Sequence, residues 1–332
     1  MNSSATGDGC ATAFSDIHPD IIETNILALL DGSSLAALAC VSAQIRRLSS
    51  DLMSQLCHRT WPSTDTPRLH HVIASFPSGP LSFFSLSFPL LLPTPRLDHH
   101  PPSPPQQLIS AVDIAYRGKI ILSSARETET DTARFRCSPF RINLLEQKDV
   151  GSTPIRKQTG GDSCKDLYGG LTLSWIMIDP VGRRAVNLSS FSPVSVQRRW
   201  WSGEVQARFA TIIAGETGLA SEQVMCVVEV TCAEGDWEEL HVREVSMRME
   251  DIDGIHLDGK KSLVILQTGF EGKRVNRRGR KQLEMKRRYE EFQERKILRR
   301  ETKSRMERRL DMLCASFTVL TFLAAFSLLI VR

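Results

Sequence analysis

At 332 residues and a net charge of +4, the chain has room for one or two domains plus extras. The charge is uneven: residues 273–311 hold 17 Lys or Arg against 7 acidic residues, a balance of +10, and Arg332 adds one, so residues 1–272 sum to −7. Eight cysteines without a CxxC, and no His or Cys pair at zinc-ligand spacing, speak against a metal site and for reduced thiols in a cytosolic protein.

Residues 1–16 are a leader of small residues expected to be disordered, polar and free of the basic residues of a signal peptide. From Ile17 to Trp61 the apolar residues fall into two helical patterns. Ile22, Ile26, Leu29 and Leu30 mark one face of the first, with Pro19 suited to its first position. Asp31-Gly32-Ser33-Ser34 ends that helix and offers a serine cap to the next, in which Leu35, Leu38, Val41, Ile45 and Leu48 share a face. Together they carry more apolar surface than the unit can bury alone.

This stretch resembles an F-box. The pieces that carry the resemblance are, in order, Pro19-Asp20, Ile26-Leu27, Leu35-Ala36-Ala37-Leu38, Cys40-Val41-Ser42, Arg46-Arg47 and Leu48-Ser49-Ser50-Asp51. The resemblance implies docking on a Skp-type adaptor, and through it a cullin, by Pro19, Ile22, Ile26, Leu27, Leu30, Leu35, Leu38 and Val41. The chain departs from the pattern at His18, at Gln44-Ile45 and at Asp51-Leu52-Met53, which lowers the expected adaptor affinity.

Residues 62–107 contain 11 of the 16 prolines, which forbid a continuous helix. His70 to Leu92 is expected to be an irregular segment laid on the next domain, and Arg96 to Gln107 an extended linker. The pairs His70-His71 and His99-His100 read as surface histidines, since adjacent residues do not easily face one ion.

From 108 to 271 the period switches to two. Val112, Ile114 and Tyr116 alternate before a turn at Arg117-Gly118-Lys119, and Ile120 to Leu122 follows. Leu171, Leu173, Trp175 and Met177 alternate with Thr172, Ser174, Ile176 and Ile178; Asp179-Pro180-Val181-Gly182 turns the chain into a strand at Val186 and Leu188. Further strands are expected over Ala207 to Ile213, Val224 to Cys232, Glu239 to Met249 and Ser262 to Gln267, with a helical turn at Ala220 to Gln223. This is a β-rich domain, a sandwich or a curved sheet. The blocks Asp113 to Ser124, Leu171 to Ser190, Pro193 to Ile212 and Val242 to Gln267 resemble those of a plant F-box group that has a proline-rich insert and, in some members, a hydrophobic tail.

The one phosphate-loop look-alike, Gly254 to Ser262, has Lys261 where a magnesium-binding hydroxyl belongs and reads as a hairpin turn into a strand. There is no GxSxG, no HExxH and no Cys/His arrangement with identifiable roles, so no catalytic residue and no cofactor are assigned. The distinctive surface candidate is Arg198, Arg199, Trp200 and Trp201, read as a substrate-binding patch with one tryptophan in the core and one exposed.

Residues 272–311 read as a basic, solvated helix too poor in apolar positions for a coiled coil. Met312 to Val331 follow, twenty residues without a charge, which span about 30 Å as a helix and match a bilayer's hydrocarbon core. With basic residues before them and only Arg332 after, they read as a tail anchor, in the endoplasmic reticulum or nuclear envelope first and another organelle's outer membrane second.

The expectation is thus an α+β protein: a helical F-box, a β-rich central domain, a charged helix and a transmembrane tail. It would serve as the non-catalytic substrate receptor of a Skp–cullin–F-box ubiquitin ligase, with an unknown protein substrate. The competing reading is a membrane-tethered scaffold that engages no ligase. A nucleic-acid binder working through Lys273 to Arg309 is disfavoured by the tail.

Overall fold

Pro19 opens the first helix, as its place before an apolar run predicts. The computed structural model describes residues 17–92, 104–145, 153–156, 162–215, 223–235, 239–274 and 278–330. Helix α1 (Pro19–Ile21) continues through a π-helical turn (Ile22–Ile26) and a 3-10 turn (Leu27–Leu29). Helix α2 (Gly32–Ala39) is capped by Asp31, whose carboxylate accepts from Ser34 N at 2.8 Å. The expected serine cap is therefore an aspartate cap, with a charge that also suits the helix dipole. The expected second helix is in fact two. The chain turns at Cys40 and Val41, and Ser42 caps α3 (Ala43–Thr60).

The proline-rich stretch is more ordered than its composition suggests. It forms α4 (Pro67–Ala74), α5 (Pro80–Leu86) and β1 (Leu90–Leu92). Each helix has proline at its first position, where a missing N–H costs nothing, so these prolines start short helices while preventing a long one. Phe76, Phe83 and Phe84 are buried beside Trp61, with Phe83 edge-on to it at 6.1 Å, and complete the core begun by Ile22, Leu27, Leu35 and Met53. A Cβ at Gly32 would lie 2.2 Å from the Phe84 ring, which is why α2 packs directly on α5. Most of the expected linker, and all but Gln223 of the expected turn at Ala220 to Gln223, lie outside the described residues.

Strands β2 (Gln107–Tyr116) and β3 (Lys119–Glu129) form a hairpin closed by Arg117-Gly118, both at positive φ (49° and 80°), as a two-residue hairpin turn requires. Next come α6 (Ala133–Cys137), β4 (Arg141–Leu145), β5 (Ile155–Arg156) and α7 (Ser163–Gly170). Strands β6 (Leu171–Asp179) and β7 (Arg184–Asn187) pair around the expected turn, where Asp179 accepts from Gly182 N at 2.8 Å and pairs with Arg184 at 2.6 Å. After these follow β8 (Ser195–Arg198), β9 (Val205–Ala214), β10 (Gln223–Glu234) and β11 (Glu239–Asp251). The chain ends with α8 (Gly259–Glu271), β12 (Lys273–Arg274) and α9 (Arg278–Ile330).

Among the described residues these strands build two antiparallel sheets. One has the order β3-β2-β6-β7; the other has β4-β11-β10-β9-β8, with β5 also on β11; β1 and β12 form a separate pair. The facing sides of the two sheets share one core, in which Val112, Ile114, Leu173, Trp175 and Met177 meet Phe209, Val228 and Met247. The outer sides are covered too. Ile109, Ala111, Ile176, Ile178 and Ala185 pack under the N-terminal helices, and Ala210, Ile212, Met225 and Val227 pack under Phe292 of α9. The result is four layers: helices, sheet, sheet, helix. Burial on both faces explains the unbroken apolar run Trp175-Ile176-Met177-Ile178 in β6.

Two sequence expectations are corrected here. Ser262 to Gln267 is not a strand but part of α8, capped by Asp258, which accepts from Lys261 N at 2.8 Å. Leu263, Leu266 and Phe270 of α8 close one end of the shared core. The look-alike loop does therefore open a helix, but a carboxylate already occupies the N-terminal N–H that a phosphate would need. Nor is the charged helix wholly solvated, because Met285 and Phe292 are buried and Tyr289 is partly so. Among the described residues no helix is long and apolar enough to cross a membrane. The expected span, 312–331, includes Val331 and the side chains of Ala324, Ala325, Leu328 and Leu329, all outside the described residues.

The joint between the helices and the first sheet holds one buried carboxylate. Asp113 is 5% exposed and accepts from Ser63 N (2.9 Å), Ser63 Oγ (2.6 Å) and Ser123 Oγ (2.7 Å). Burial raises its pKa above the ordinary aspartate value, against the opposing pull of these hydrogen bonds. A raised folded pKa means that the ionised group costs stability above that pKa, and that the cost vanishes below the unfolded value of about 3.9. Asp113→Asn keeps the shape, with Ser63 Oγ turned to accept. Its stability relative to the parent should therefore rise as pH increases from about 4 towards neutral. Asp113→Ala strands the donors and should cost about 1–3 kcal/mol. Chemical denaturation at several pH values checks both. A pH-independent difference for the Asn variant would mean that the hydrogen bonds fully offset the cost of burying the charge.

Candidate functional site

The outward face of α1 to α3 is the first candidate. Of the eight residues expected to meet an adaptor, Ile22, Leu27 and Leu35 are 1–2% exposed and form the unit's own core. Ile26, Leu30 and Leu38 are half-buried, whereas Pro19 and Val41 face out. Beside them stand Ile21 (49% exposed) and Leu29 (82%), with Val41 at 74%. Helical periodicity did not single these out as outward. The π and 3-10 turns shift the phase, so Leu29 leaves the face that its spacing from Ile22 predicts. The unit thus packs its inner side on its own chain and leaves Pro19, Ile21, Leu29 and Val41 exposed.

The second candidate is the tip of the β8–β9 hairpin. Arg199 N donates to Glu204 O and Gly203 N to Arg199 O, each at 2.8 Å, with Gly203 at φ +72° closing the turn. Trp200 and Trp201 ride on this turn, 88% and 66% exposed, their rings edge-to-face at 5.6 Å. The expectation of one buried tryptophan is corrected: both lie on the turn between β8 and β9 and both are exposed. Arg198 pairs with Glu234 at 3.1 Å and Arg199 with Glu204 at 3.4 Å, so the arginines brace the turn while the indoles project. Large apolar rings held rigidly in water are the usual anchors of a protein interface.

The thiols offer no nucleophile in the core. Burial pushes Cys57 and Cys232 up to about 12, and Cys226 rises for the same reason, so all three stay protonated at neutral pH.

No family model matches the chain, and no solved structure matches it. It is similar to a probable F-box protein of Arabidopsis thaliana, 46% identical over 313 residues that cover 93% of this chain and 90% of the relative. Two further F-box proteins of that plant are similar along nearly their whole length. One is 40% identical over 331 residues (96% of this chain, 97% of the relative), the other 39% over 333 residues (96% and 91%).

Proposed function

The chain belongs to the F-box proteins, which are non-catalytic, and from that premise we propose that it is the substrate-recognition subunit of a Skp–cullin–F-box ubiquitin ligase held at a membrane. The observation that carries the reading is a set of exposed apolar residues on a helical unit whose inner side is already packed. Pro19, Ile21, Leu29 and Val41 stand exposed, while Ile22, Leu27 and Leu35 are buried in the unit's core. A Skp-type adaptor would cover these residues and bring a cullin with it. The Trp200-Trp201 tip, braced by Arg198 and Arg199, would take the protein substrate.

Tethering rests on the end of α9. Phe317, Leu320, Phe322, Leu323, Phe326 and Ile330 are each 57–79% exposed, and residues 312–331 carry no charge. A helix apolar on every side is stable only where something apolar surrounds it. The endoplasmic reticulum or nuclear envelope is the proposed membrane, with the rest of the chain on the cytosolic side. Holding receptor and target on one surface raises their effective concentration, which offsets a weak F-box.

The test is adaptor capture by the full chain in detergent. A Leu29→Asp, Val41→Asp variant should lose the Skp-type adaptor with its circular dichroism unchanged, because both positions are exposed. A Trp200→Ala, Trp201→Ala variant should keep the adaptor and lose the proteins whose ubiquitination depends on this chain. If the parent chain captures no adaptor, the scaffold reading replaces this one.

A further inference from the structure

The sequence pairs His70 with His71, but the fold sets His70 beside a different histidine. His58, near the end of α3, and His70, on α4, have ring centroids 4.2 Å apart. Asp65, between the helices, lies 2.9 Å from His70 through Oδ1 and Nε2. One ligand atom from each of the three residues lies within 4.8 Å of the others.

The hydrogen bonds fix the state of His58. Thr64 Oγ1 donates to Trp61 O at 2.7 Å, which uses its only proton. It must therefore accept at 3.0 Å from His58 Nδ1, and that nitrogen carries the N–H. Nε2 keeps its lone pair, with Ser54 Oγ at 3.3 Å. A ring anchored by one N–H to a protein oxygen, with a lone pair on its other nitrogen, is the usual state of a metal-ligating histidine; here an ion would displace the long contact from the Ser54 hydroxyl.

We propose that His58, Asp65 and His70 bind a divalent transition-metal ion of the zinc type, with water completing the shell, and that the ion clamps α3 to α4. Two imidazole nitrogens and one carboxylate oxygen suit zinc; calcium and magnesium take shells made of oxygen. With metal–ligand bonds of about 2.0–2.2 Å the ligand atoms must sit about 3.4 Å from one another, so the wider gaps close and the 2.9 Å hydrogen bond between His70 and Asp65 opens. His70 and Asp65 are 48% and 64% exposed and can rotate inward, whereas His58 is already held. The clamp would stiffen the step from the adaptor-facing helices to the segment that seats them on the sheet.

The test uses the full chain in detergent, stripped with a chelator and titrated with zinc chloride by calorimetry and with cobalt(II) by visible absorption. The expected result is one ion per chain and a tetrahedral cobalt band. Both should weaken at least tenfold in His58→Ala and His70→Ala, and neither should change in His71→Ala. Thr64→Val, which removes the acceptor of the His58 N–H, should weaken binding about 10- to 100-fold. Because His70 is half exposed, loss of binding in its variant is not loss of fold. Zinc binding that survives unchanged in His70→Ala and Asp65→Asn, or no saturable binding by the parent, overturns the proposal.

Discussion

A chain ending at Asp311 should leave the membrane pellet for the soluble fraction, while the full chain resists alkaline carbonate extraction. Leu, Ile, Phe and Val occupy 11 of the 20 positions from 312 to 331. At about −0.3 to −0.6 kcal/mol each near a helix centre, they favour insertion by roughly 3–7 kcal/mol. Leu320→Asp with Leu323→Asp should reverse this, since each aspartate costs about 2.5–3.5 kcal/mol at mid-membrane. Adaptor capture should be unchanged in both variants, because the F-box helices lie on the opposite outer layer from α9. If the full chain is extracted by carbonate, tethering fails and another protein or a second copy must cover the tail. Fluorescence microscopy of the tagged chain would then separate endoplasmic reticulum from other organelles.

Part of the sheet layout was legible from alternation, as at Leu171 to Ser174, and from turn residues, although both faces of the sheets are covered. The turn at Arg117-Gly118 and the one at Asp179 to Gly182 were visible from residue type alone, and both are where expected. The run at Ser262 to Gln267 misled because a short, largely apolar run fits a strand as well as a helix; Asp258 as cap and Leu263, Leu266, Phe270 at helical spacing were the available signal. The prolines of α4 and α5 looked like breakers because their meaning depends on helix position, which composition does not carry. At the hairpin, two adjacent tryptophans on a strand would face opposite ways. On a turn they need not, so both reach solvent. His58 and His70 were beyond reach: twelve residues and a helix end separate them, and only the packing of α4 back on α3 brings them together.

The docking of α9 on the second sheet gives a prediction of comparable size. Phe292 is fully buried against Val194, Ala210, Ile212, Met225 and Val227, with Met285 and Tyr289 on the same helical stripe at i−7 and i−3. Lys296 pairs with Glu250 and Arg299 with Asp253, each at 2.7 Å, and Arg295 donates to Gln223 at 3.1 Å. The Lys296–Glu250 pair is 11% exposed on both sides, so removing one partner leaves a half-buried charge unanswered. Phe292→Ala should remove about 3–5 kcal/mol from this contact. The loss should be local, since the shared core between the sheets holds none of these residues. Hydrogen exchange should therefore speed up over residues 285–299 and over β9 and β10, with β2 and β6 unchanged. Leu298→Ala, at a position 61% exposed, is the control and should change nothing. From Arg299 to Asp311 the helix runs about 18 Å before the uncharged stretch begins. If the tail is anchored as proposed, docking at Phe292 would set the height and tilt at which it presents the β domain. An undocked variant would keep its anchor and its adaptor and lose only that orientation. If exchange in Phe292→Ala instead rises across the whole chain, α9 is an integral part of the fold and not a docked stalk.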